Sequence, residues 1–360
     1  MNETISVIED LYRYNDWANG RVIELCRDLP SEQMDAPREI GFGSLRNTLF
    51  HILTAEQIWL ERWQVVTWRP FPTDSQGMSL ADIEHQLKQI AQARQQMIRA
   101  ERPTKWQRVV NYKDSRSDEY SHPLDILLMH VANHSTYHRA QALNCLKHFG
   151  RTIPVGIDYS MYKLARPTVE QEPDSITAFR KYGLEVATGP GYDVRWDRQH
   201  FERYLAYHDW ANQEILNALD GADDAVLDRE FSIGPGSIRK VLMHAVDVEL
   251  WLWMLWHDGT EKPPQSQGMS VEQLRSSFKK LEDQRAPFIA GLDAKTSQRV
   301  VTGSPGGIPF KSRVSESLIQ ICCHGTHHRA QVVNMLRHSG LKIPDVDMLD
   351  WWCTKKLGQP

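Results

Sequence analysis

The sequence predicts an all-α fold: two tandem up-down four-helix bundles joined by a linker. Three observations carry that expectation. The chain of 360 residues contains an internal duplication. Each copy holds four long stretches with apolar residues at three- and four-residue spacing, and helix-cap residues recur at matched places in both copies. Tyr14-Asn15-Asp16-Trp17-Ala18-Asn19 returns as Tyr207-His208-Asp209-Trp210-Ala211-Asn212. At the same offset, Gly41-Phe42-Gly43-Ser44-Leu45-Arg46 falls on Gly234-Pro235-Gly236-Ser237-Ile238-Arg239. His138-Arg139-Ala140-Gln141 matches His328-Arg329-Ala330-Gln331, and Ile153-Pro154 matches Ile343-Pro344. A repeat of domain size means two copies of one fold rather than a solenoid. The division is a first bundle over 1–163, a linker over 164–198 and a second bundle over 199–360.

Each element has a local reason. The first helix is expected over Ile5 to Leu25 and Phe201 to Leu219, where the apolar spacing is helical and β-branched alternation is absent. Ser44 and Ser237, each after Gly-x-Gly, are expected to cap a second helix running on through Trp63 or Trp256. Ser79 and Ser270 are candidate caps for a third. The fourth begins near Pro123 and Ser312 and ends at Gly150 and Gly340, because glycine tolerates the left-handed residue that closes a helix. The polar stretch Val109 to Ser121 is expected as a hairpin or an irregular loop. Pro and Gly punctuate the linker, which leaves room for one helix around Ser175 to Val186.

Composition narrows the function classes. With 41% apolar and 24% charged residues the chain is globular, and a net charge of -4 gives no general attraction to nucleic acid or anionic membrane. The longest apolar run, Leu250 to Trp256, is too short to span a bilayer. The acidic opening MNETISVIEDLY lacks the basic and apolar regions of a secretory signal. Five cysteines without CxxC spacing point to a reducing compartment, so a cytoplasmic location is expected. What stands out is 15 histidines and 12 tryptophans.

The histidines carry the chemistry. His134 and His138 are four apart on one helix, which places both rings on one face. His51, on a helix that must turn its apolar face inward, supplies a third nitrogen. Three protein ligands and an open position is the arrangement of a catalytic rather than a structural zinc site. His244, His324 and His328 repeat the set in the same order. An HxxxH pair alone is weak evidence; its recurrence with the third histidine is the argument, because the other histidines diverge. His130 faces Gln320 and His122 faces Ser312, which suits surface or locally bonded residues. No cysteine recurs, so Cys26, Cys145, Cys322 and Cys323 are expected as buried structural thiols. Gln141 and Gln331, three residues past the last His, are candidates to bond its ring. Asp16, Asn19, Asp209 and Asn212 either orient a ligand imidazole or pair with a helix end. Arg139 and Arg329 point off the histidine face, and an ion pair with Glu56 or Glu249 is expected there.

Taken together, the WAN segment of the first helix, a histidine opening the second, and HxxxHRAQ on the fourth resemble the DinB/YfiT-like superfamily. The likeness covers nearly the whole chain twice and is not to the translesion polymerase that shares a name. It implies four-helix bundles with a three-His site for a divalent metal, usually zinc or nickel, held here by His51, His134 and His138 and by His244, His324 and His328. It also implies chemistry on low-molecular-weight thiols such as bacillithiol and mycothiol. Family dimers lead to the expectation of a monomer whose two copies mimic a dimer.

Three functions remain open from the sequence. The first is a metal-dependent S-transferase that presents a small thiol cosubstrate to an electrophile, since no repeated cysteine can supply the sulfur. The second is a hydrolase using metal-activated water, for which no repeated carboxylate stands where HExxH would place one. The third is a non-catalytic metal-binding stress or scaffold protein. No catalytic residue beyond the ligands is identified.

Overall fold

A computed structural model of the chain describes residues 3–64, 70–72, 74–75, 77–101, 105–114, 117–151, 156–164, 192–259, 268–304 and 310–357. The helix expected over Ser175 to Val186 lies outside the described residues. In chain order the elements are β1 (Glu3–Ile5), α1 (Val7–Cys26), α2 (Ser31–Asp35), α3 (Leu45–Trp63), α4 (Leu80–Ala100), β2 (Val109–Lys113), β3 (Glu119–Pro123), α5 (Leu124–His148) and α6 (Tyr159–Leu164). There follow β4 (Tyr192–Val194), α7 (Arg198–Asn217), α8 (Asp224–Leu227), α9 (Ile238–Trp256), α10 (Val271–Gly291), β5 (Val300–Gly303), β6 (Phe310–Arg313), α11 (Val314–His338) and α12 (Met348–Leu357). The long helices α1, α3, α4 and α5 form one four-helix bundle, and α7, α9, α10 and α11 form the other.

The caps lie where serine stands. Ser44 Oγ accepts from the Asn47 amide at 3.1 Å and Ser237 Oγ from the Lys240 amide at 3.3 Å. Ser79 and Ser270 do the same for α4 and α10. At the other end, Gly150 and Gly340 have φ of 70° and 69°, and the Arg151 amide returns to the Leu146 carbonyl at 3.0 Å. That left-handed closure is open to glycine at little steric cost. The segment before α5 is an antiparallel hairpin pairing Val110 with His122 and Tyr112 with Tyr120. Its counterpart pairs Val301 with Ser312. A parallel pair of β1 with β4 was not foreseen from the sequence.

The compact units do not coincide with the sequence repeats. One comprises 8–152 with 347–360, the other 1–7 with 153–346. The tail of each repeat thus belongs to the unit built around the other repeat: α12 packs on α5, and α6 packs on α11 and β6. This covers α5 and α11 on most sides. Both are buried nearly all round, including His138, Arg139 and Gln141 in α5 and His328, Arg329 and Gln331 in α11.

Candidate metal centres

In the first bundle α3 supplies His51 and α5 supplies His134 and His138, with one ligand atom from each within 4.8 Å of the others. His51 Nε2 stands 3.1 Å from His134 Nε2. In the second, His244 from α9 meets His324 and His328 from α11, and His324 Nε2 lies 3.2 Å from His244 Nε2 and 3.1 Å from His328 Nε2. Nitrogens about 2.0–2.1 Å from a tetrahedral zinc sit about 3.3 Å apart. The His51–His134, His244–His324 and His324–His328 pairs are therefore close to the edge length that a single cation requires, and the remaining nitrogens lie within 4.8 Å.

Their electrostatics suit ligation. Burial, followed by the neighbouring His138, lowers the His51 pKa to about 2. His138 falls to about 4, mainly by burial, while its bond to Gln141 pulls the other way. Burial holds His134, His324 and His328 well below the ordinary imidazole range, and neighbouring histidines add to it. These rings are neutral at physiological pH, the form in which imidazole binds metal.

The last histidine of each set is held from behind. His138 Nδ1 is 2.9 Å from Gln141 Oε1, and His328 Nδ1 is 2.8 Å from Gln331 Oε1. A carbonyl oxygen can only accept, so each bond selects the Nδ1–H tautomer and turns the Nε2 lone pair toward the other two rings. The Gly-x-Gly motifs make room for these amides. A Cβ on Gly41 would lie 2.9 Å from Gln141 Oε1, and one on Gly234 would lie 2.3 Å from Gln331 Oε1.

The two centres differ at the mouth. Phe42 stacks on His51 with ring centroids 3.8 Å apart, and it also lines an open cleft of about 390 Å³ with Asp35, Asn47 and Ser75. Pro235 replaces Phe42 in the second repeat, where His244 is exposed.

Asp16, Asn19, Asp209 and Asn212 do not hydrogen-bond the histidine sets. Asp16 pairs with Arg94, and Asn19 bridges Glu56 and Arg139. Asp209 pairs with Arg285, and Asn212 bonds His208 and Arg329. The expected pairing of Arg139 with Glu56 is also corrected. Arg139 bonds Asn15, Asn19 and Thr136, while Glu56 takes Arg94, Asn15, Asn19 and Ser135. The reason is geometric: Arg94 enters from α4 and claims the carboxylate, leaving the two asparagines between the charges. In the second bundle His208 takes the place of Asn15 and lies 2.8 Å from Glu249.

Other features were not legible beforehand. His122 and His130 are buried, and of the two expected alternatives the locally bonded one holds for His122. His122 bonds Tyr112 through Nδ1 at 3.0 Å and faces Cys353 Sγ through Nε2 at 3.6 Å. His130 packs edge-on against Trp59 and holds Asp347 at 3.0 Å. Asp158 approaches Gln320 in the matching place. The only sequence signal for these acids is that each follows an Ile-Pro pair.

The model of the DinB family matches residues 1–173 and again 198–356. The chain belongs to the DinB family. A curated relative, Protein DinB of Bacillus subtilis (strain 168), is 26% identical over 151 residues, 39% of this chain and 87% of that protein. That span is about one repeat, so this DinB-family chain carries the fold twice. No solved structure matches it. No helix among the described residues is long and apolar enough to cross a membrane.

Proposed function

We propose that this DinB-family chain is a divalent-metal-dependent enzyme, with zinc or nickel held by His51, His134 and His138 and by His244, His324 and His328. The observation that supports it is the twofold occurrence of three imidazole nitrogens within 4.8 Å of one another, each set with a glutamine fixing one ring. The reaction we favour is S-transfer from a low-molecular-weight thiol to an electrophile. A metal bound there would supply the Lewis acidity that favours the thiolate. The chain's own residues do the rest. Gln141 and Gln331 hold the ring tautomer, Phe42 shields His51 on one face, and the Arg94–Glu56 and Arg285–Glu249 pairs tie the helices of His51 and His244 to α4 and α10. Four of the five cysteines are buried, with Cys26 and Cys145 pushed up to about 12 by burial, so these buried sulfurs are poor nucleophiles.

Hydrolysis is the second reading, and it is favoured by Asp347, whose carboxylate is held by His130, the residue one turn before His134. The five free cysteines support a cytoplasmic location, and we take the chain to act as a monomer whose repeats stand in for a dimer.

The test is elemental analysis of untagged protein purified without chelator. The expected result is two equivalents of metal per chain, reduced to one by His134→Ala or His324→Ala, with metal-dependent loss of thiol in the presence of 1-chloro-2,4-dinitrobenzene. Absence of metal after reconstitution with zinc and nickel would reject the enzyme and leave a paired helical scaffold. Metal binding without thiol turnover, but with ester or amide cleavage, would favour hydrolysis.

A further inference from the structure

Each histidine set shares its unit with a segment carried by the other repeat, and both segments enter with an aspartate. Asp347 immediately precedes α12 and Asp158 immediately precedes α6. Asp347 Oδ1 lies 3.0 Å from His130 Nδ1, and the His130 ring is 5.6 Å from that of His134. In the second set Gln320 stands where His130 does, one turn before His324. Gln320 Nε2 reaches toward Asp158 Oδ2 at 3.5 Å, and its carbonyl accepts from the Ser160 amide at 2.8 Å. The two arrangements share the acid and its position but not its partner.

Imidazole ligands bring no charge to a dication, and negative charge nearby helps offset the hydration it loses on binding. Glu56 and Glu249 are committed to Arg94 and Arg285. The tails bring two further carboxylates toward the sets, Asp347 against His130 and Asp158 toward Gln320. Asp347 is held ionised by His130 and by the Leu349 amide, against the effect of burial.

We propose that Asp347 and Asp158 are positioning residues for the metal, each supplying the charge that stabilises a dication in the histidine set of the other repeat. Each metal centre is then completed by both repeats, a role that rests on the metal reading above. Both aspartates also start a helix, and the Leu349 amide bonds Asp347 Oδ1 at 2.7 Å. A purely structural cap is the competing role. Asparagine and serine cap about as well as aspartate but carry no charge, so substitution separates the two.

The experiment uses the full chain in two parents, His324→Ala to isolate the first set and His134→Ala to isolate the second. Zinc affinity is measured by competition with a chromogenic chelator, and folding by circular dichroism and melting temperature. Asp347→Asn is expected to weaken zinc binding about 10- to 100-fold in the His324→Ala parent. Asp158→Asn should do so only in the His134→Ala parent, with melting temperatures of the metal-free proteins unchanged. Asp347→Ser and Asp158→Ser are the second pair if asparagine disturbs the fold. Unchanged affinity with both substitutions, or an effect of Asp158 on the first set in place of the second, would overturn the proposal while leaving the metal sites standing. Parents that bind no zinc would overturn the metal reading and this inference with it.

Discussion

Replacing Gly325 by Ser is expected to damage the second bundle although the first bundle carries serine at the matching place. A Cβ on Gly325 would lie 2.4 Å from His208 Cε1 and 2.6 Å from its Nδ1. Carbon atoms attract at about 3.5–4.0 Å, so the ring must retreat by roughly 1 Å. Such overpacking costs about 1–3 kcal/mol. The retreat also loosens the 2.8 Å contact of His208 with the buried Glu249, and a hydrogen bond to a charged group is worth about 1.5–3 kcal/mol. Removing a helical glycine returns about 0.5 kcal/mol. The net is a loss of roughly 2–5 kcal/mol, or a fall of about 5–15 °C in the calorimetric transition of that unit. In the first bundle the strain is absent because Asn15 is shorter and Ser135 Oγ donates to Glu56 at 3.1 Å. Gly325→Ser with His208→Asn therefore transplants a compatible pair and should recover most of the loss, with a coupling of at least about 1 kcal/mol. A double variant no more stable than Gly325→Ser alone would refute the packing argument.

Further outcomes follow from the same physics. Glu56→Ala removes the fully buried partner of Arg94, leaves it only Asp16, and strands the Asn15, Asn19 and Ser135 donors, so it should cost about 3 kcal/mol in denaturant unfolding, and a loss under 1 kcal/mol would show that Asp16 or water replaces it. The metal-free protein should lose stability on acidification. The unfolded imidazoles take up protons near pH 6.5, whereas His138 resists to about 4 and His51 to about 2. The unfolded state then binds more protons below pH 6.5, so the contribution is full above 6.5 and declines as pH falls toward 4. A melting temperature flat from pH 7 to 4.5 in chelator would contradict this. Gly234→Ala, at a φ of 46° and against Gln331, should lower metal stoichiometry or affinity at the second set by loosening His328, and unchanged zinc affinity would count against the role of the glutamine. Cys353, half-buried while the other four cysteines are buried, should be the one thiol alkylated quickly by iodoacetamide in native protein, and rapid labelling surviving Cys353→Ser would place the reactive thiol elsewhere.

The sequence by itself determined what depends on neighbours along the chain. Helix starts followed from serine before an apolar run, helix ends from glycine at the left-handed position, and the two-bundle architecture from duplication. The six histidines stood out because four-residue spacing puts two rings on one face and because the set occurs twice. Their approach to about 3 Å was decided by tertiary packing, as was the matching of Gly41 and Gly234 to the amides of Gln141 and Gln331. Arg139 shows the limit: helix geometry said which way it leaves the helix, but not that Arg94 had already taken Glu56. His130 shows it again. Read as unrepeated it promised little, yet Asp347, more than two hundred residues away, arrives beside it. Periodicity and capping act over three or four residues, whereas charge pairing and tail placement join residues that meet only when the bundle closes, and the sequence carries no local mark of that meeting.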